Sequence, residues 1–223
     1  TIHAKLDQLR RQSRQTGQVR LPARALALGI RAGIHLLLAA VLAGAVIFQD
    51  SAPFGLALVA ASGPGIRGAA ALAGACFGSL TVLEFSPALR YSSACILTFA
   101  VSFAFYDWKP IRKPWTMPAA AGVLCAFTGL ITQSRTGWTE ADVIYFVLES
   151  LLAAGGAWVF RAALSPSGQG APDKAASPLR RAGLLALLCA CLISLAPLTL
   201  YRGISLGRLL AAAAVLSCGW QGG

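Results

Sequence analysis

A long apolar stretch that contains one acidic residue constrains the fold of this chain more than any other feature. It runs from Asp142 to Arg161, and Glu149 lies well inside it. Its length matches the roughly 20 residues that a helix needs to cross the hydrocarbon core of a bilayer. An ionisable side chain at that depth is costly and marks a functional site by default. We therefore predict a membrane-spanning helix here, with Glu149 as a candidate site residue.

The composition extends this prediction to the whole chain. Of 223 residues, 57% are hydrophobic and 12% are charged, and the mean hydropathy is +0.67. A soluble domain usually has about a quarter of its residues charged, so most of this chain must face lipid or other helices. The net charge is +11, but the basic residues lie between apolar spans, as expected for membrane topology and not for a phosphate-binding face. We therefore predict no nucleic-acid partner.

Repeated apolar runs predict an all-α, polytopic transmembrane helical bundle of about eight spans. Two of the runs, residues 54–61 and 68–83, are short for a full crossing. They predict a thin hairpin, a re-entrant pair or tightly packed short helices. The other spans are predicted at residues 26–49, 91–106, 115–132, 142–161, 182–200 and 204–219.

Small residues recur at four-residue intervals in the third span, at Ala70, Gly74 and Gly78. Such a stripe lets helix backbones approach closely. Ala40 and Gly44 form a similar face in the first span. These two faces permit helix association within one chain or between chains.

Residues 1–24 predict a basic cytosolic arm, and residues 25–223 predict the transmembrane domain. The arm has two interpretations: a solvated topology signal, or a juxtamembrane helix that rests on anionic lipid. Basic residues are concentrated in alternate loops, so the positive-inside rule predicts that both ends of the chain are cytosolic. In the interpretation as a juxtamembrane helix, the basic residues that face lipid are Arg10, Arg11, Arg14, Arg20 and Arg24.

The segment Gly63–Gly68 matches the letters of a dinucleotide-binding fingerprint, GxGxxG. That fingerprint needs a strand, a turn and a helix within a parallel βαβ sheet. Because spans of membrane character flank the segment, we predict a Gly/Pro turn at a helix break. The sequence contains no His/Asp/Glu cluster, nucleophile elbow or phosphate loop elsewhere, so we predict no catalytic residue, cofactor or metal in this chain.

A second intramembrane charge, Arg208, lies in the last span. Glu149 is a few turns from Glu140, and Arg208 is under two turns from Arg202, both on the outer side. Because intramembrane charges are usually paired, we predict a Glu149–Arg208 pair that joins the sixth and eighth spans. Such a pair serves either as a structural link between helices or as a proton relay or switch. We favour the link, since relays normally contain several ionisable groups in series.

The order of these features resembles that of the membrane-spanning N-terminal region of the stage II sporulation protein E family of endospore-forming bacteria. The resemblance covers most of residues 30–223 and includes no catalytic signature. Glu149 and Arg208 match acidic and basic positions of the family pattern, whereas the loop of residues 62–68 is poorer in charge than is usual in the family. The matching stretches are Ala52–Ala60, Phe85–Leu89, Gly137–Ser150 and Tyr201–Leu209.

The resemblance implies about ten spans, then a cytosolic regulatory region and a C-terminal serine phosphatase domain of the PP2C type. That phosphatase dephosphorylates an anti-sigma-factor antagonist and so activates the first forespore sigma factor. The resemblance also implies association with the tubulin-like division protein at the asymmetric septum. We expect this chain to end before the phosphatase and its manganese site, and to act as a membrane anchor, septal localisation and self-association module. The alternative is a small inner-membrane transporter or permease.

Overall fold

In a computed structural model, residues 23–48, 51–109, 113–136, 140–164, 178–197, 199–201 and 204–221 are described. They form eight helices and one two-stranded antiparallel ladder, so the predicted helical class is confirmed for this part of the chain. The ladder pairs β1 (Thr199–Tyr201) with β2 (Ile204–Ser205). The helices are α1 (Ala23–Ala43), α2 (Phe54–Ser62), α3 (Ile66–Val82), α4 (Phe85–Ala104), α5 (Thr116–Thr136), α6 (Glu140–Leu164), α7 (Pro178–Leu195) and α8 (Leu206–Gln221).

Four of these helices are long and apolar enough to cross a membrane, judged by length and composition. The qualifying segments are Leu26–Ala43, Thr116–Ser134, Asp142–Leu164 and Pro178–Leu195. α3 is apolar but has only 17 residues. The structure thus supports a multi-pass helical protein, and four of the roughly eight predicted spans meet this criterion.

The first span ends earlier than predicted, at Ala43 instead of residue 49. The backbone N–H of Gly44 donates to Val41 O, three residues back, and the Ser194 hydroxyl of α7 also donates to that carbonyl. Residues 45–47 then follow an irregular path, and Phe48 pairs with Ser51 in an isolated bridge. By its backbone contacts the chain divides into two compact units, and the boundary between them lies within α1, after Arg31. The side chains of residues 26–31 are exposed.

α2 forms the core of the bundle. Residues 55–60 are all buried, as expected for a helix that is apolar on every side. The helix packs against α3, α4, α5 and α6. Its nine residues give a length of about 13 Å, less than half of the roughly 30 Å hydrocarbon core. Of the alternatives predicted for the two short spans, the structure favours tightly packed short helices.

The small-residue face of α3 packs against the backbone of α1. A Cβ atom added to Gly74 would lie 2.1 Å from Leu36 O, and one added to Gly78 would lie 2.2 Å from Ala40 O. Side chains larger than hydrogen therefore cannot fit at these two positions without moving α1. The two predicted small-residue faces meet each other within one chain.

The segment of residues 63–68 contains the predicted turn: residues 63–65 connect α2 and α3, and residues 66–68 begin α3. Gly63 and Gly65 have φ angles of 69° and 106°, a region that favours glycine. A Cβ atom at Gly68 would lie 1.9 Å from Gly63 O. Helix α2, and not a strand, precedes the turn, so the structural context of a dinucleotide fingerprint is missing here.

Candidate functional site

The Glu149 carboxylate is the centre of a buried polar cluster formed by α4, α5 and α6. Glu149 is only 5% exposed. Its Oε2 atom lies 2.8 Å from Arg90 Nη2 in a salt bridge. Its Oε1 atom accepts hydrogen bonds from the Tyr91 hydroxyl and from the Cys125 thiol, the latter at 3.6 Å. The two carboxylate oxygens are therefore bound, between them, by side chains of α4 and α5.

Tyr91 extends the cluster to the start of α2. Its hydroxyl accepts a hydrogen bond of 3.0 Å from Ala52 N and lies 3.4 Å from Ser51 Oγ. Ala52 directly precedes Pro53, the N-cap residue of α2. Tyr91 therefore connects the Glu149 carboxylate of α6 to the start of α2.

Arg90 is held tightly between its neighbours. Its guanidinium carbon lies 5.2 Å from the centroid of the Tyr91 ring, within the range of a cation–π contact. A Cβ atom added to Gly129 of α5 would lie 2.6 Å from Arg90 Nη2, so glycine at this position makes room for the guanidinium. The Arg90 side chain remains 17% exposed, and its Nε atom has no hydrogen-bond partner among the described residues.

The cluster joins three helices and the start of a fourth around one compensated charge. Every buried ion needs a partner of opposite charge and further hydrogen bonds to be tolerated at low dielectric, and Arg90, Tyr91 and Cys125 provide them. This arrangement favours the structural link over a relay. The basic residue in this link is Arg90 and not the predicted Arg208.

The predicted Glu149–Arg208 pair is wrong. Arg208 is exposed on α8, a helix that contacts α7 and β2, and its backbone N–H donates to Ser205 Oγ at 3.3 Å. The predicted fourth span began at residue 91, which left Arg90 in an outer loop. α4 in fact begins at Phe85, so Arg90 lies inside the helix. Pro87 was the missed signal, because proline is favoured in the first turn of a helix.

The basic arm lies largely outside the described residues. Arg10, Arg11, Arg14 and Arg20 fall in the part of the chain that is not described, and Arg24 lies in the first turn of α1, without a described side chain. Their predicted contact with lipid stays a prediction. Within the described residues, no group of three or more His, Cys, Asp or Glu side chains could hold a metal ion.

Comparisons of the chain with protein-family models, with curated proteins and with solved structures gave no match. The four resembling sequence stretches and the contacts of the Glu149 cluster are therefore the features that bear on function. Those contacts connect residues that are far apart in the sequence, such as Ala52, Tyr91 and Glu149.

Proposed function

We propose that this chain is the membrane domain of a sporulation serine phosphatase of the stage II sporulation protein E type. In this role it anchors the enzyme, directs it to the asymmetric division septum and mediates self-association. The phosphatase activity and its manganese ions belong to a cytosolic domain outside this chain. The partners are the lipid bilayer, further copies of the protein and the cell-division machinery.

One observation carries this proposal: two of the four resembling stretches meet at the Glu149 cluster, and the residues next to a third, Arg90 and Tyr91, connect them. Ala52 begins the first stretch, and its backbone N–H binds Tyr91, which follows shortly after the second stretch. Glu149 lies in the third stretch and binds both Tyr91 and Arg90. Tyr91 thus connects Ala52 of the first stretch with Glu149 of the third, although the two residues are far apart in the sequence.

The distribution of basic residues supports an orientation for the bundle. The C-terminal ends of α2, α4 and α6 lie together with the start of α5 at one end of the bundle, because they line a common cavity. Arg161, Lys109 and Lys113 lie in or next to these ends. The positive-inside rule assigns such an end to the cytosol, and we call it the inner end. About 18 Å of helix separate Glu149 from Arg161, which puts the cluster in the outer half of the membrane.

Localisation in a sporulating cell tests the proposal directly. We expect a fluorescent fusion of this chain, expressed in an endospore-forming bacterium, to concentrate at the asymmetric septum. Two differently tagged copies should co-purify from the same cells. A uniform signal around the membrane at the stage when the septum forms would contradict the proposal.

A proton-coupled transporter is the second candidate, because of the short helix at the cluster. Discontinuous helices whose ends point to a buried charged site are typical of secondary transporters, and α2 begins beside Tyr91 and Glu149. Proteoliposomes loaded with a pH-sensitive dye distinguish the two functions. Proton entry that exceeds that of empty vesicles and is lost in Glu149→Gln favours a transporter; equal rates in all three samples favour the anchor.

A further inference from the structure

The inner end of the bundle encloses a small cavity with polar walls. The cavity has a volume of about 160 Å³ and lies between the ends of α2, α4, α5 and α6. Ser102, Tyr106 and Arg161 provide its polar groups. Its apolar wall includes Ala60, Pro64 and Met117.

The Ser102 hydroxyl indicates that this cavity accepts a ligand. Ser102 is only 2% exposed, and its Oγ atom has no hydrogen-bond partner among the described residues. Buried hydroxyl groups nearly always have a partner, because leaving one unpaired is costly. Arg161 lines the same cavity and is only partly buried. A hydroxyl and an arginine that line one cavity suit a phosphate or carboxylate group.

A groove with a largely apolar lining lies next to the cavity, at the end of α4. The groove has a volume of about 800 Å³ and shares Pro64 and Tyr106 with the cavity. Phe103, Phe105 and Trp108 line it, and the rings of the last two lie 5.7 Å apart. One acidic residue, Asp107, also lines the groove.

The charges near the mouth of the groove are mainly positive. Lys109 directly follows Trp108, and Lys113 precedes α5; both side chains are exposed. Together with Arg161, these two lysines make three basic residues against one acidic residue, Asp107. Positive charge at the cytosolic surface of a membrane attracts anionic lipid.

We propose that the inner end of the bundle is a binding site for an anionic phospholipid. The phosphate group binds Ser102 and Arg161 in the cavity, and an acyl chain lies in the groove along Phe103, Phe105 and Trp108. A free anion would use the cavity alone, whereas the adjoining cavity and groove suit a ligand with both a phosphate and a hydrocarbon chain. The site requires only that the bundle lies in a membrane and does not depend on the phosphatase proposal.

Titration of the purified full chain in neutral detergent tests the site. The probes are a short-chain phosphatidylglycerol, the matching phosphatidylcholine and inorganic phosphate, and the readout is the melting temperature. We expect phosphatidylglycerol to raise the melting temperature at concentrations at least about tenfold lower than the other two, because the choline of phosphatidylcholine adds a positive charge near basic residues and inorganic phosphate lacks the acyl chain that fills the groove. Equal affinity for phosphatidylcholine, or for inorganic phosphate, would overturn the lipid proposal.

Two substitutions assign the phosphate contact. We expect Arg161→Gln to weaken phosphatidylglycerol binding about tenfold and Ser102→Ala about fivefold, as for a charged and a neutral hydrogen bond. Ser93→Ala is the matched control on the same helix, because its exposed hydroxyl already binds Leu89 O; binding should change less than about twofold.

The lipid-free melting temperature separates a binding effect from misfolding. Ser102→Ala removes a hydroxyl that has no partner among the described residues, so the lipid-free variant should melt no lower than the wild type. Normal lipid binding by both Ser102→Ala and Arg161→Gln would overturn the assignment of the phosphate to this cavity.

Discussion

Burial of the Glu149 carboxylate is tolerated because each of its partners compensates part of the cost. An isolated carboxylate is very costly in a low-dielectric interior, whereas a paired and hydrogen-bonded one is tolerated. Arg90 supplies the opposite charge at 2.8 Å, and Tyr91 and Cys125 bind the other oxygen. Removing a single partner leaves an unpaired charge, but removing both members of the ion pair does not. The cluster should therefore respond asymmetrically to substitution.

A double-mutant cycle measures this asymmetry. We expect Glu149→Ala and Arg90→Ala each to lower the free energy of unfolding by about 3–5 kcal/mol, because each leaves a buried charge unpaired. The double variant that combines Glu149→Ala with Arg90→Ala should lose less than the sum of the single changes. Thermal unfolding in detergent provides the measurement.

The matched control for this cycle is Arg208→Gln, the residue first predicted as the partner of Glu149. Because Arg208 is exposed, we expect its substitution to change stability by less than about 0.5 kcal/mol. If Arg208→Gln destabilised the protein as much as Arg90→Ala, the assignment of Arg90 as the partner would fail.

The position of Glu149 was predictable from sequence, but its partners were not. The depth of an acid in an apolar span follows from counting residues, and burial of such an acid inside the bundle follows from its cost in lipid. Tyr91 and Cys125 carry no such signal, because neutral side chains occur throughout apolar spans. Their role depends on which helices pack together, and that depends on the central position of α2.

At the scale of the element, close approach of α1 and α3 is set by two glycines. Gly74 and Gly78 place the α3 backbone against the carbonyl oxygens of Leu36 and Ala40. Close backbone contact of this kind is how helices associate where lipid removes the hydrophobic driving force. The stripe of small residues was visible in the sequence, and the choice between association within one chain and between chains came only from the structure.

Alanine substitutions test this contact. We expect Gly74→Ala and Gly78→Ala each to destabilise the protein by about 1–3 kcal/mol, because the added methyl group overlaps a backbone carbonyl that cannot move freely. Melting temperatures in detergent provide the measurement. Gly33→Ala is the control, since nothing lies within 4 Å of an added Cβ atom there; alanine should stabilise that helical site by about 0.5–1 kcal/mol.

Helix lengths show where sequence patterns lose precision. The irregular segment after Ala43 is as apolar as the helix before it, so hydropathy extended the first span by six residues. For the same reason, the start of α4 was predicted at residue 91, whereas the helix begins at Phe85. Hydropathy measures burial or lipid contact and does not distinguish helical from irregular backbone, which is tolerated at membrane depth where protein buries it.

At the scale of the whole molecule, the ends of four helices define one face of the bundle. Because α2, α4 and α6 end beside the start of α5, alternate loops lie at the same end. The basic residues Lys109, Lys113 and Arg161 gather there. This grouping agrees with the predicted cytosolic side of the inner end, while the acids of residues 140 and 142 begin α6 at the opposite end.

Cysteine labelling tests the resulting topology. Lys113→Cys and Ser134→Cys probe the two ends of α5, and Gly168→Cys probes the sequence that follows α6. We expect a membrane-impermeant maleimide to label Ser134→Cys in intact spheroplasts, because this position lies at the outer end. Lys113→Cys and Gly168→Cys should react only after permeabilisation. The wild-type chain supplies the blank, since its own cysteines lie within apolar spans. Labelling of Lys113→Cys and Ser134→Cys from the same side would show that α5 does not cross the membrane, and labelling of Ser134→Cys and Gly168→Cys from the same side would show that α6 does not cross it.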